Sequence, residues 1–182
     1  MNERELLYEH LTLIKNPELR EWVKTQLDKQ DEKFWLIPAS SSGKYHPEQS
    51  RGEGGLVRHV LGTLYFAREW FEVYSADLVE KDVVIAALML HDIGKTMHEP
   101  HDIVGAQELR WDKSTDPIIQ LTIAGVRWHM GPWSTGSTKC HPDERGLRRF
   151  PEDFTRTEQM VHLSDYAASR KRVNLTKLGV TE

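Results

Sequence analysis

Residues 83–95 read VVIAALMLHDIGK, eight apolar residues followed at once by His91-Asp92 and then by Gly94-Lys95. A helix that is apolar on every side belongs in the core of a domain, so this stretch predicts a buried central helix over about 81–92. Gly94 suits the turn that follows a helix end. Because imidazole and carboxylate groups are metal ligands, the end of this helix is a candidate active site.

The segments around this stretch also carry helical patterns. Apolar residues spaced three and four apart predict a helix over about 56–74; they are Leu56, Val60, Leu64, Ala67 and Phe71. Further helices are predicted over about 102–112, 116–130 and 155–173, the second of them with Asp116 as its N-cap and Pro117 as its first residue. No stretch alternates with a period of two in a way that indicates a strand. The predicted fold is therefore all-α, a helical bundle around a central buried helix.

The remaining segments are an N-terminal pair of helices and two loops. Residues 1–30 predict a helical hairpin, with Asn16 as the N-cap and Pro17 as the first residue of the second helix. Residues 34–55 and 131–152 are rich in Gly and Pro and predict irregular loops. The first loop should be ordered, because its large apolar side chains require burial. They are Phe34, Trp35, Leu36, Ile37 and Tyr45.

Composition limits the class of protein. The chain has 182 residues, which suits one domain, and 38% of them are hydrophobic, so a core can form. With 24 Lys and Arg against 28 Asp and Glu, the net charge of −4 does not indicate a strongly basic nucleic-acid-binding protein. Cys140 is the only cysteine, which excludes an internal disulfide and favours a cytoplasmic setting. No apolar run approaches the roughly 20 residues of a membrane span, so no membrane partner is expected.

Four side chains on three predicted helices are candidate metal ligands: His59, His91, Asp92 and Asp165. His91 and Asp92 would point about 100° apart on a regular helix, so both reach one ion only if it lies beyond the helix end. Two imidazoles and two carboxylates suit Mn²⁺, Fe²⁺, Co²⁺, Ni²⁺ or Zn²⁺. Each residue alone also has a structural explanation, such as an imidazole bonded to a carbonyl or a carboxylate in a salt bridge.

Three segments resemble the HD superfamily of metal-dependent phosphohydrolases. They are GGLVRHVLGT (54–63), LMLHDIGK (88–95) and VHLSDYAASR (161–170). The similarity covers about residues 45–172 and is strongest to the HD domain of bacterial 3′–5′ exoribonucleases, although their separate nucleic-acid-binding domain is not found in this sequence. The resemblance implies a single HD-type domain over 1–182 and an enzyme in which a metal-activated water attacks phosphorus.

A second ion is the next expectation from the resemblance. HDIVGA (101–106) fits a His-x-x-x-Gly-Ala pattern that carries an extra ligand in some bimetallic members, which points to His101. His129 falls where another such ligand is expected. One or two ions stay open at this point, because His101 can instead cap its helix and His129 can instead hydrogen-bond the substrate.

Lys95, Asp92 and His129 are the candidate catalytic residues. Asp92 would hold the ion, while Lys95 and His129 would stabilise the developing charge or protonate the leaving oxygen. The alternative for Lys95 is a cation that the dipole at the end of its helix favours.

Four residues outside these motifs are candidates for substrate binding: His46, Gly55, Trp133 and Arg145. The pair Gly54-Gly55 would let a phosphate approach a helix N-terminus, although it also suits a plain turn. Trp133 and Arg145 would stack a base or pair with phosphate. The alternative is that the arginines of this loop belong to a solvated face.

These features predict a metal-dependent phosphohydrolase that cleaves a phosphoester of a nucleotide or nucleotide-like substrate. Two other functions stay open: a 3′–5′ nuclease or phosphodiesterase on short single-stranded RNA or DNA, and a non-catalytic, metal-bound nucleotide sensor. The expected partner is a small phosphorylated molecule, and assembly into a homo-oligomer stays open.

Overall fold

The computed structural model describes residues 2–40, 46–97, 100–135 and 151–170. These parts are helical and contain no strand, which confirms the all-α fold. The α-helices are α1 (Glu3–His10), α2 (Pro17–Asp28), α3 (Glu32–Leu36), α4 (Gly55–Val73), α5 (Leu78–Leu90), α6 (His101–Arg110), α7 (Pro117–Trp128), α8 (Pro132–Thr135) and α9 (Arg156–Ala168). Short 3-10 turns cover Leu11–Leu13, Glu48–Ser50, Ile93–Thr96 and Pro151–Asp153. In the described parts, no helix has both the length and the apolar character needed to cross a membrane.

Helix α5 is the buried centre of the fold, as predicted. Asp77 caps it by accepting the N–H of Glu80 at 2.8 Å, and the Glu80 side chain accepts the N–H of Asp77 in return. Every residue from 83 to 90 is buried, and α2, α4, α7 and α9 pack around the helix. The helix starts three residues earlier than predicted and ends at Leu90. His91 and Asp92 therefore follow the helix and lie where the backbone turns away.

The helices around α5 also match the sequence patterns closely. The predicted apolar stripe of α4 is fully buried, from Leu56 to Phe71. The Asn16 side chain accepts the N–H of Leu19 at 3.0 Å at the start of α2, and Asp116 accepts the N–H of Ile118 at 2.7 Å at the start of α7. Local capping signals therefore located these helix starts correctly.

The connection between α1 and α2 is fixed to the central helix. The buried carboxylate of Asp82 accepts the backbone N–H groups of Lys15 and Asn16 at 2.8 and 2.7 Å. The apolar sides of α1 and α2 are buried through Leu7, Leu11, Ile14, Leu19, Val23 and Leu27. The first two helices are thus packed into the same body as α5.

The loop predicted over 34–55 is more regular than expected. Asp31 accepts the N–H of Phe34 at 3.1 Å and starts the short helix α3. Phe34 and Trp35 are buried, but Leu36 is 43% exposed, so the prediction that it needs burial is wrong. Tyr45 lies outside the described residues, as does 136–150 of the second predicted loop.

Gly94 has a different role from the predicted one. Its backbone lies in the Ile93–Thr96 turn and does not adopt a positive φ. A Cβ at this position would overlap the carbonyl oxygen of His101 and lie 2.8 Å from the amide nitrogen of Gly105. Glycine is required here because α6 packs directly on the turn, and this contact brings His101 toward Asp92.

The crossing of α5 and α7 generates a stability prediction. A Cβ at Gly125 would lie 2.8 Å from the Ala87 Cβ, so Gly125→Ala should lower the free energy of unfolding by about 1–3 kcal/mol through overpacking. Gly62→Ala is the matched control, because a Cβ there lies 3.7 Å from the Ala168 Cβ and alanine favours the helix by up to about 1 kcal/mol. Urea denaturation measures both. Equal stabilities of the two variants would show that α5 and α7 are not this close.

Candidate metal centre

The four predicted ligand side chains meet where α4, α5 and α9 pack together. His59 lies on α4, Asp165 on α9, and His91 and Asp92 directly after α5. The His59 Nε2 atom is 2.9 Å from Asp165 Oδ1 and 3.3 Å from His91 Nε2, and His91 Nε2 is 3.2 Å from Asp92 Oδ2. His59, His91 and Asp92 are almost fully buried, whereas the Asp165 side chain is 15% exposed. The cluster is therefore reached from the Asp165 side.

The ring of His91 is held in one orientation. Its Nδ1 lies 2.7 Å from the carbonyl oxygen of Leu88, and because a carbonyl only accepts, Nδ1 carries the proton and donates it. In the neutral ring, Nε2 then presents its lone pair to the point where His59 and the two carboxylates converge. A fixed tautomer of this kind is typical of a metal-binding imidazole.

The charges in this cluster also fit a cation. Burial lowers the pKa of His91, but the carboxylate of Asp92 outweighs it and the pKa is raised. Burial alone would raise the pKa of Asp92, yet His91 and then Lys95 hold that pKa well below its ordinary range. Two carboxylates therefore lie among the imidazoles: Asp165 beside His91 at 3.8 Å, and Asp92, to which Lys95 donates at 2.7 Å. The donor set and the charge thus fit a divalent transition-metal ion.

A second cluster lies on the other oxygen of Asp92. His101 Nε2 is 3.3 Å from Asp92 Oδ1, His129 Nε2 is 3.8 Å from the same oxygen, and the two imidazole nitrogens are 3.2 Å apart. His129 donates from Nδ1 to the carbonyl oxygen of Val126 at 2.7 Å, which directs Nε2 to this cluster. Burial, followed by the charge of His91, lowers the pKa of His129 to about 4, so its ring is neutral at pH 7. Asp92 is therefore shared by two neighbouring sets of candidate ligands.

Lys95 lies beside the shared carboxylate. Its Nζ donates to Asp92 Oδ2 at 2.7 Å and to the carbonyl oxygen of Ala39 at 2.8 Å. An ammonium group has three N–H donors, so these two bonds leave one for another acceptor. The side chain is 18% exposed and lines the cleft described next.

Both clusters border a cleft of about 750 Å³, which is lined by Asp92, His101 and Asp165; these three side chains are called the floor of the cleft below. His46, the predicted substrate-binding residue, lines this cleft, with its ring centroid 4.9 Å from that of His59 and its Nε2 3.4 Å from Ser169 Oγ. Burial, followed by the charge of His59, lowers the pKa of His46 to about 4, so it is neutral at pH 7. Trp133 also lines the cleft and is 51% exposed, whereas Arg145 lies outside the described residues.

Gly55 does not line the cleft. The N–H groups of Gly55 and Leu56 donate to the carbonyl oxygens of Gly52 and Ile37, so these amides at the start of α4 are already bonded. A Cβ at Gly55 would overlap the carbonyl oxygen of Ser50. The structure therefore does not support the predicted phosphate-binding role, because this glycine serves close packing of the chain.

Comparison with known proteins agrees with this geometry. The model of the HD domain family matches residues 56–169. The chain belongs to the HD domain family. At the level of the family, it stands among metal-dependent phosphohydrolases and nucleases, whose HD domains bind divalent metal ions. Two groups of described side chains have donor atoms close enough to hold an ion: His59, His91 and Asp165, and His91, Asp92 and His129.

Two curated relatives match this HD domain over part of its length. A protein named 3′-5′ exoribonuclease YhaM from Oceanobacillus iheyensis is 32% identical over 97 residues, which are 51% of this chain and 28% of that protein. A protein of the same name from Geobacillus sp. (strain WCH70) is 29% identical over 93 residues, 51% of this chain and 26% of that protein. The matched region is thus less than a third of either relative. No solved structure gave a significant match.

A buried ion pair behind the second cluster was not predicted. Arg127 Nη1 donates to Asp102 Oδ2 at 2.9 Å and to Ser134 Oγ at 3.0 Å, and Ser134 Oγ donates to the same carboxylate oxygen. Asp102 follows His101 directly, and Arg127 is two residues before His129. Asp102 is 25 residues from Arg127 and 32 residues from Ser134 and no local pattern pairs them, so only the fold could reveal this support for the HD domain's second cluster.

His162 contacts the second cluster. Its spacing of three residues from Asp165 fits either a side chain that orients that carboxylate or one at the surface, but it is buried and its Nδ1 donates to the carbonyl oxygen of His129 at 2.8 Å. Tyr166 on α9 and the two residues directly after α9, Ser169 and Arg170, line the cleft without having been singled out from the sequence. The spacing of four residues between Asp165 and Ser169 places both on one helix face and was the available signal.

The shared position of Asp92 predicts unequal losses of metal. Asp92→Asn, which keeps the size of the side chain, should remove metal from both clusters, whereas His101→Ala should remove it from the second cluster alone. Protein stripped with chelator, reloaded with Mn²⁺ and dialysed is measured by inductively coupled plasma mass spectrometry.

His10→Ala is the matched control for these variants, because the His10 imidazole donates to the carbonyl oxygen of Leu6 on α1. It should retain the wild-type metal content. Full metal content in Asp92→Asn would contradict the metal centre, and an unchanged stoichiometry in His101→Ala would exclude a second ion held by that residue.

Proposed function

We propose that this HD domain is a metal-dependent phosphohydrolase that cleaves the phosphoester bond of a nucleotide unit with water. The observation that carries the proposal is the carboxylate of Asp92, whose two oxygens face two imidazole clusters at the floor of a cleft. A divalent ion bound in such a site lowers the pKa of a coordinated water and neutralises charge on a phosphoryl oxygen.

The donor sets support one assignment for each cluster. We assign His59, His91, Asp92 and Asp165 to the first ion. Donor atoms of His59, His91 and Asp165 lie within 4.8 Å of one another, and Asp92 Oδ2 is 3.2 Å from His91 Nε2. We assign Asp92, His101 and His129 to a second ion. Their imidazoles are each directed by the fold, His129 through Val126 and His101 through the contact of α6 with Gly94.

Lys95 is the residue that we propose to act on the substrate. It donates to Asp92 and to Ala39, which fixes the ammonium beside the shared carboxylate and leaves one N–H for a phosphoryl oxygen. A fixed cation next to the reacting group stabilises the negative charge that develops in the transition state. His129 enters as a neutral ring with a pKa of about 4, so we give it the ligand role and not that of an acid.

We also propose that residues 1–182 form one HD-type domain, with an HD core over 45–172 and the helices of 1–30 packed on it. One continuous hydrophobic core supports this proposal, since it runs from Leu7 on α1 to Val161 on α9. The bonds from Asp82 to the α1–α2 connection support it as well.

The name of the two relatives favours a second candidate, a 3′–5′ exonuclease on single-stranded RNA. The two candidates share the reaction at phosphorus and differ in the size of the substrate. Incubation with Mn²⁺ and either mononucleotides or a short single-stranded RNA separates them. Release of inorganic phosphate indicates a phosphomonoesterase, and release of mononucleotides from the 3′ end indicates the nuclease. Metal binding without any turnover would leave the non-catalytic sensor.

The role of Lys95 gives a kinetic prediction. Lys95→Met should lower kcat by about 100-fold or more, the usual loss when one fixed donor to a developing oxyanion is removed. Metal content should stay within a factor of two, because Lys95 is assigned to the substrate and not to the ion. Lys24→Met, which breaks an exposed pair with Asp28, serves as the control and should leave kcat unchanged. An unchanged kcat in Lys95→Met with full metal content would contradict this role.

A further inference from the structure

One wall of the cleft is aromatic and cationic. Trp133 on α8 and Tyr166 on α9 are stacked, with ring centroids 5.4 Å apart and an angle of 19° between the planes. The guanidinium carbon of Arg170 lies 3.7 Å from the centroid of the Tyr166 ring. All three residues line the cleft, and together they are called the stacking wall below.

The stacking wall is built on the same supports as the second cluster. Ser134, the neighbour of Trp133, is buried and bonds both Asp102 and Arg127. The bonds of Ser134 therefore fix the short helix α8 to α6, which begins at His101, and to α7, which His129 directly follows. A rigid position for an exposed aromatic ring is expected of a binding surface, because little conformational freedom is lost on binding.

The turn before α8 is held equally closely. Gly131 has a φ of +55°, and a side chain there would overlap the ring of His162. His162 in turn donates to the carbonyl oxygen of His129, and its ring lies 5.9 Å from that of Trp133. The geometry thus couples the stacking wall to the floor of the cleft through direct contacts.

The aromatic rings of the stacking wall are partly exposed to the solvent in the cleft. Trp133 and Tyr166 are 51% and 39% exposed although they lie in a cleft, and the buried Nε of Arg170 has no hydrogen-bond partner among the described residues. Flat aromatic rings and a guanidinium plane bind nucleobases by stacking, since every base has a π face. A site that binds phosphate alone would need the guanidinium cation but not the two aromatic rings.

The wall and the metal centre are also adjacent in the fold. Tyr166 follows Asp165 directly, and Ser169, which precedes Arg170, hydrogen-bonds the Asp165 carboxylate at 3.3 Å. A base on the wall and a phosphoester at the floor can therefore belong to one nucleotide unit. We propose that Trp133, Tyr166 and Arg170 bind the nucleobase of the substrate, so that the site selects phosphoesters that carry a base. This inference rests on the proposed function, and it identifies the substrate class of that site.

The test compares ligands that differ in the base alone. One pair is adenosine monophosphate and ribose 5-phosphate, and the other is a six-nucleotide single-stranded RNA with and without its 3′-terminal base. Isothermal titration calorimetry in EDTA measures Kd without turnover, and kcat/KM is measured with Mn²⁺. In at least one pair, the wild type should bind the base-carrying member about tenfold more tightly, because the stacking of one base adds about that much affinity.

Trp133→Ala should abolish this preference and lose little affinity for the base-free ligands. Trp133→Phe, which keeps an aromatic ring, should retain most of the preference. Trp111→Ala is the matched control, because Trp111 is 75% exposed at the end of α6 and does not line the cleft. It should behave as wild type. The pair that shows the preference identifies the source of the base, a free nucleotide or an RNA end.

Three outcomes would overturn the inference: no preference in either pair, an equal loss on both members of a pair in Trp133→Ala, or an unchanged preference in that variant. A base preference in Kd without turnover of any ligand would instead reject the proposed hydrolase activity and still support nucleobase binding by the stacking wall. The two failures are therefore distinguishable.

Discussion

The buried carboxylate of Asp92 is the constraint on which the site depends. An ionised carboxylate that is 2% exposed is costly unless it is paired and hydrogen-bonded. Lys95 donates to one of its oxygens, and imidazoles from α4, α6 and the ends of α5 and α7 face both. Burying this charge without these partners would be strongly unfavourable. The fold and the candidate metal centre therefore have to form together.

The apolar surroundings of α5 determine where that carboxylate lies. The helix is buried from Asp82 to its last residue, Leu90, so the next two residues are placed at the meeting point of α4, α6, α7 and α9. Gly94 allows α6 to pack closely on the turn after α5, and Gly125 allows α7 to pack closely on α5 itself. These two contacts bring His101 and His129 to the same point. Small residues at these contacts therefore have a direct consequence for the chemistry of the cleft.

The sequence predicts those parts of the molecule that depend on local patterns. The central helix, the α4 stripe and the caps at Asn16 and Asp116 were found because periodicity and capping act within a few residues. The juxtaposition of His59, His91, Asp92 and Asp165 followed from the resemblance together with the three helices that carry them. The role of Gly94 could not be foreseen, because a residue that suits a helix end also suits a tight contact between segments.

Interactions between distant segments account for the other differences. Gly55 was expected at a phosphate, but the carbonyl groups of Gly52 and Ile37 already accept from the amides there. His162 shares a helix with Asp165, but the fold places the carbonyl oxygen of His129 within its reach. The pairing of Asp102 with Arg127 and the stack of Tyr166 on Trp133 involve residues with no regular spacing. Such contacts depend on how α6, α7, α8 and α9 come together.

Anomalous X-ray diffraction from crystals grown with Mn²⁺ tests the central claim most directly. The structure predicts a peak within bonding distance of His59 Nε2, His91 Nε2 and the carboxylates of Asp92 and Asp165, with a second peak between Asp92, His101 and His129. Ordered side chains in these positions with no anomalous density between them would contradict the metal centre.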